Sequence, residues 1–218
     1  MSILEALREE GREVGRVYGV APGLVTNNRD PEGLARVKVH FPWLSDDNET
    51  DWIRPATLMA GEQRGTFFLP EVGDEVLLAF EHGDLNRPVV LGALWNGAAA
   101  PPETNSDGQN NVRKICSRSG HELIFNDNGQ AGQEKLEIHT KGGHKILLDD
   151  SLGGEKIEIV DRTGANHVVI DAVQNSITIT AALQLKIKAA TVEIEADTML
   201  TLKAGAVLTI QGALVQIN

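Results

Sequence analysis

Apolar residues recur at every second position through most of the chain, in short runs whose polar partners change character near residue 100. Between Val14 and Gly97 the runs are VGRVYGVAPGLVTN, ARVKVHF, DWIRPATLMA, DEVLLAF and RPVVLGALW, separated by NRDPEG, LPEVGD and EHGDLNRP among other turn signals. Period two bounded by Gly, Pro, Asn and Asp predicts strands and tight turns. Five strands packed into residues 14–97 predict a small closed or nearly closed barrel such as the OB-fold, although periodicity alone supports only the barrel class.

Residues 98–112 carry Pro, Ala, Asn and Gly without periodicity and read as a linker. Beyond them lies an internal repeat. SGHELIFND, GGHKILLDD and ANHVVIDA place His121, His144 and His167 at intervals of 23 residues, each opening a strand that is followed by a second one, EKLEIHT, EKIEIVD and NSITIT. These long repeats cover 113–175. From 176 to 218 the step shortens to seven or eight residues, as ITIT, LKIK, VEIE, LTLK, LTIQ and VQI. Alternation puts Leu185, Ile187, Val192, Ile194, Leu200, Leu202, Leu208 and Ile210, with Val215 and Ile217, on one face; Lys186, Lys188, Glu193, Glu195, Thr201, Lys203, Thr209 and Gln211 fall on the other.

A rung with two apolar side chains cannot enclose a core alone, and a step of seven or eight residues is too short for a closed turn of a monomeric solenoid. Several identical chains wound about one axis solve the problem, three of them giving a triangular prism with the eight residues from Leu185 to Ile210 as trimer core. The expected fold is therefore all-β, an N-terminal barrel (14–97) followed by an intertwined trimeric prism (113–218). Lys186 and Lys188 stand one step before Glu193 and Glu195, so adjacent rungs carry opposite signs; such pairs tune register by about 0.2–1 kcal/mol each.

Ahead of the barrel, Ser2 and Glu5 have capping-box spacing, Ile3, Leu4 and Leu7 share a face, and Gly11 is a stop, which predicts a short amphipathic helix within 1–13. Its apolar stripe is either a subunit contact or a frayed terminus. The net charge of -11 opposes nonspecific attraction to nucleic acid or anionic lipid. One cysteine excludes an intrachain disulfide, and neither a signal peptide nor a spanning segment is apparent, so assembly in a cytoplasm is expected.

LPEVGDEVLLAFEHGDLNRPVVLGALWNG (Leu69 to Gly97), within which GDEV and GDLNRPVVLGALWN carry most of the match, closely resembles the OB-fold signature of contractile-tail spike proteins. The likeness is to the phage baseplate assembly protein V group, the central spike of T-even phages and the VgrG proteins of type VI secretion; DPEGLARVKVHFPW (Asp30 to Trp43) fits the same group. The C-terminal repeats are similar to that family's trimeric needle, so the resemblance implies an N-terminal OB-fold barrel (14–97) followed by an intertwined trimeric β-helix, the needle (113–218). The resemblance implies a structural, non-enzymatic spike of a phage tail or contractile injection particle, a homotrimer seated on a hub that pierces a target envelope when the sheath contracts. The short segment before the barrel implies a separate hub protein, and the short linker leaves no room for a lysozyme domain. With no His after His167 a metal-bound tip is not expected; instead Leu214, Val215, Gln216, Ile217 and Asn218 would dock a small PAAR-type tip protein.

Candidate chemistry is sparse. His121, His144 and His167 could each form a ring of three imidazoles for a metal or an anion, but the favoured reading is a polar side chain capping local backbone at a strand start. DDNETD, Asp46 to Asp51, lacks the Gly and distant Glu of a calcium loop and reads as a solvated acidic turn. Cys116 reads as a small buried residue. Trp43, Trp52, Phe67, Phe68 and Trp95 could stack bases, yet no basic stripe accompanies them, and barrel core or subunit contact is favoured. No nucleophile elbow, zinc-protease helix, P-loop or CxxC is present, and no cofactor is expected. The alternatives are an OB-fold nucleic-acid-binding protein and an envelope-degrading enzyme acting on peptidoglycan.

Overall fold

The structure, a computed structural model, describes residues 16–44 and 48–217; the expected helix within 1–13, and Asp46 and Asp47 of the acidic run, lie outside the described residues. Those residues are all-β apart from single 3-10 turns at Glu81–Gly83 and Gly129–Ala131. The chain divides into two units, one ending at Ser106 and one beginning at Asp107.

In the first unit, β1 (Val20–Asn27), β2 (Lys38–His40), β5 (Glu75–Phe80) and β6 (Pro88–Leu94) form a sheet in the order β2-β1-β5-β6, and β3 (Ala60–Gly61) with β4 (Arg64–Gly65) makes a separate small hairpin. Alternation decides which side chains point inward: Ala21, Val25, Val39, Val76, Leu78, Phe80 and Val90 are buried, joined by Val37, Phe41 and Ile53. Each fully buried aliphatic side chain contributes about 1.5–3 kcal/mol. Gly23 also faces inward, and only glycine fits: a Cβ there would lie 2.4 Å from Val39 Cγ1 and 2.7 Å from Leu78 Cδ1.

DWIRPATLMA is not a continuous strand. It bridges the two edges of the sheet, with Ile53 antiparallel to Val37 beside β2 and Pro55 parallel to Val90 of β6, and this closes the barrel. Pro55 has no N–H to extend a ladder, which limits the pairing to bridges. The DPEG turn is held by one side chain. The Asp30 carboxylate accepts the backbone N–H of Glu32, Leu34 and Arg36 and takes the Arg36 guanidinium at 2.8 Å through both Nε and Nη2. Chiefly through Arg36, its carboxyl is held well below the ordinary carboxylate range.

The second unit is a meander. β7 (Val112–Cys116), β8 (Glu122–Asn126), β9 (Lys135–His139), β10 (Lys145–Asp149), β11 (Lys156–Val160), β12 (His167–Asp171) and β13 (Ser176–Thr180) form one seven-stranded sheet in chain order, every neighbour antiparallel. The long repeats are thus hairpins, each strand paired with the one before it inside a single chain. Their Gly-rich turns reverse the chain: Gly143, at φ 92°, donates to the Thr140 carbonyl while Thr140 and His144 close the loop. Among the described residues no strand follows Thr180, and everything from Ala182 to Ile217 is exposed.

Candidate functional site

Residues opposite one another in an antiparallel sheet share a face, so the register sorts every side chain of the meander. On one face lie two continuous rows. The first runs Ile115, Leu123, Ile138, Ile146, Ile159, Val168 and Ile179; the second runs Phe125, Leu136, Leu148, Ile157, Ile170 and Ile177, with Arg113 at its end. Apart from Leu123, Leu136 and Val168, these apolar residues are between 36 % and 69 % exposed. Leu185 joins Ile138, Ile146, Ile159, Val168 and Ile179 around a hollow of 470 Å³ on this face.

The opposite face carries most of the sheet's charged residues, together with Ile124, Leu147, Val160 and Val169. Lys135, Asp149, Lys156 and Asp171 alternate in sign across four strands. At its centre Glu137 lies between Ile124 and Leu147 of the neighbouring strands and is only 7 % exposed. Its carboxylate accepts from His139 Nε2 at 2.7 Å, Lys145 Nζ at 2.8 Å and Lys135 Nζ at 3.2 Å. Burial by itself raises this carboxyl, but the hydrogen bonds from Lys145, His139 and Lys135 outweigh it and lower the pKa to about 2.

The repeated histidines sit at one turn edge of this sheet. His121 Nδ1 accepts the backbone N–H of Lys141, and His144 Nδ1 that of Arg162, both at 3.3 Å. In the third repeat Asn166 Oδ1 takes over this role and accepts the N–H of Ala182 at 3.0 Å, while His167 pairs with the Gly164 carbonyl. Each turn is thereby fastened to the next. His121 and His144 thus cap the backbone of the following turn, and His167 that of its own.

The eight residues expected to form a trimer core, Leu185 to Ile210, are 54 % to 68 % exposed and lie on no strand; within one chain only Leu185 is brought against the meander. Leu214, Val215, Gln216 and Ile217 are likewise exposed, and Asn218 lies outside the described residues. Cys116, expected to be buried, is exposed: it stands at the last position of β7, on the face that carries Glu137, beside a turn. Of the aromatic residues, Phe67, Phe68 and Trp95 are too exposed for a core role, Trp52 lies under Lys38, and Trp43 donates to the Pro22 carbonyl from the barrel rim. Phe41 and Phe80 fill the core instead. The apolar surface formed by the meander's two rows is one that the sequence reading does not anticipate. Its signal is present in LIF, LEI, ILL, IEI, VVI and ITI, each of which sends its outer two residues to one face.

Residues 21–95 match the family model described as the type VI secretion system/phage-baseplate injector OB domain. The chain is 32% identical over 126 residues to the type VI secretion system spike protein VgrG3 of Vibrio cholerae, a stretch covering 54% of this chain and 12% of that protein. It is 30% identical over 139 residues to the spike protein VgrG1b of Pseudomonas aeruginosa, covering 58% and 19%. A further Vibrio cholerae relative, named as actin cross-linking toxin VgrG1, is 32% identical over 123 residues, or 53% and 11%. The chain thus spans less than a fifth of the curated relatives it matches. The barrel is similar to injector OB domains, and the likeness to VgrG-like contractile spikes read from Leu69–Gly97 stands.

Proposed function

We propose that this chain, whose barrel is similar to injector OB domains, is the central spike of a contractile injection machine, a homotrimer that seats on a hub and pierces a target envelope when the sheath contracts. The observation that carries the trimer is the meander's exposed apolar face. Its two rows hold ten apolar residues that are 36 % to 69 % exposed, a contiguous patch of the kind that marks an interaction surface. A sheet with one exposed apolar face needs an apolar partner, and three copies packed about an axis supply one.

The function is mechanical. Axial force passes through hydrogen-bonded sheets and fastened turns, and no residue is assigned a chemical step. The particle is a phage tail or a secretion system assembled in the cytoplasm, in contact with the target envelope only during firing. Leu214, Val215 and Ile217, exposed and uncharged, are the surface offered to a small conical tip protein. Light scattering on the purified chain at micromolar concentration should give three times the mass of the 23.5 kDa chain; a folded species of single-chain mass would overturn the trimer.

A further inference from the structure

Two stretches of the second unit meet the same requirement in opposite ways. Every buried backbone N–H and C=O needs a partner. From Val112 to Thr180 the partners lie within the chain, in six consecutive antiparallel pairings. From Leu183 to Ile217, among the described residues, the backbone makes no hydrogen bond to the rest of the chain, although the sequence alternates as strands do. On the trimer reading, from which this inference starts, those partners belong to the other two chains.

That stretch also cannot choose its own register. LKIK, VEIE, LTLK and LTIQ present equivalent apolar pairs at steps of seven or eight residues, so chains displaced by one step bury the same kind of surface. The opposed charges of Lys186, Lys188, Glu193 and Glu195 discriminate only weakly, and register is poorly specified where a pattern repeats itself. The meander has no such ambiguity. Its strand ends are fixed by hairpins, Phe125 occurs in one repeat alone, and its apolar face continues directly into Leu185 at the hollow beside Ile146 and Ile159.

We propose that the meander, residues 112–180, is the registration element of the assembly: its faces dock first, in the one alignment they allow, and the following stretch then zips from Leu185 toward Ile217 in that alignment. The test is pulsed hydrogen exchange during refolding of the full chain from guanidinium, with light scattering of the end state. Amides of β9, β10 and β11 should become protected first, and those of 185–217 afterwards in chain order, in a phase that speeds up with chain concentration. Protection of 185–217 before or together with the meander, in a product of trimer mass, overturns the order while leaving the trimer. A product of single-chain mass overturns both. A second full-length chain, Ile146→Asp, leaves residues 181–218 unaltered. Its 185–217 amides should exchange as in unfolded chain, and wild-type protection there would show that this stretch finds its register without the meander.

Discussion

The substitution Glu137→Gln keeps the shape of the side chain and removes the charge that Lys135, Lys145 and His139 surround. The pKa of the Glu137 carboxyl falls from 4.5 to about 2 in the folded protein, and about 1.36 kcal/mol per pH unit converts this to roughly 3 kcal/mol of stability. Because the folded value is the lower one, that contribution is complete above about pH 4.5, declines as pH falls and is gone near pH 2. The amide that replaces the carboxylate still accepts one or two hydrogen bonds, so the variant should lose about 2–3 kcal/mol per chain at neutral pH. The assay is guanidinium unfolding of both proteins at one fixed chain concentration, from pH 8 to pH 2. Asp30, Glu49, Asp149 and Asp161 are also held low by hydrogen bonds, so both curves should bend downward in acid. The difference between the curves isolates Glu137: constant above pH 5, closing between about 4.5 and 2. A gap that stays constant down to pH 2.5 refutes the reasoning, since the loss would then reflect shape and packing rather than the carboxylate.

Ile159→Asp discriminates a free sheet face from a covered one. Ile159 is 50 % exposed in the single chain, so a monomer would lose only about 1 kcal/mol of burial, whereas three buried carboxylates cost several kcal/mol each; sedimentation should show loss of the assembly at micromolar concentration. Ile194→Asp should melt well below wild type while Glu193→Lys changes little, and equal losses in thermal scans would show that the two faces are exchanged. Gly23→Val drives methyl groups into Val39 and Leu78 and should destabilise the barrel by about 1–3 kcal/mol or more, read from chemical denaturation, with the meander's amide exchange unaltered.

The all-β class is legible in the sequence because period two persists from β1 to β13, and the likeness to injector OB domains because GDEV and GDLNRPVVLGALWN are specific. Closure by DWIRPATLMA is harder to see: its residues alternate like a strand, yet Pro55 confines it to bridges, and only the closed sheet shows which edges it joins. In the long repeats the 23-residue spacing is plain, but hairpin and forward winding share the same alternation. The choice between them lies in turn geometry, in the positive φ of Gly120, Gly143 and Gly164. The apolar rows from Ile115 to Ile179 are hidden for a different reason, since their residues are interleaved with Lys and Glu of the opposite face. Cys116 defeats a sequence reading because a lone apolar-like residue says nothing about whether its strand end is covered.

The stretch after Thr180, with neither strand nor burial of its own, has a consequence for how the protein is made. Translation delivers the barrel and the meander first, and both hold enough internal hydrogen bonds to fold as they leave the ribosome. The sticky stretch emerges after them. Were the order reversed, an unpaired, alternating, largely uncharged strand would sit exposed on the nascent chain for the whole time of synthesis, the condition that invites cross-β aggregation. Chain order therefore spares the synthesis of the barrel and the meander from that hazard. Expression from genes placed close enough for nascent copies to meet should raise the soluble yield of this protein more than that of one whose strands are paired within each chain.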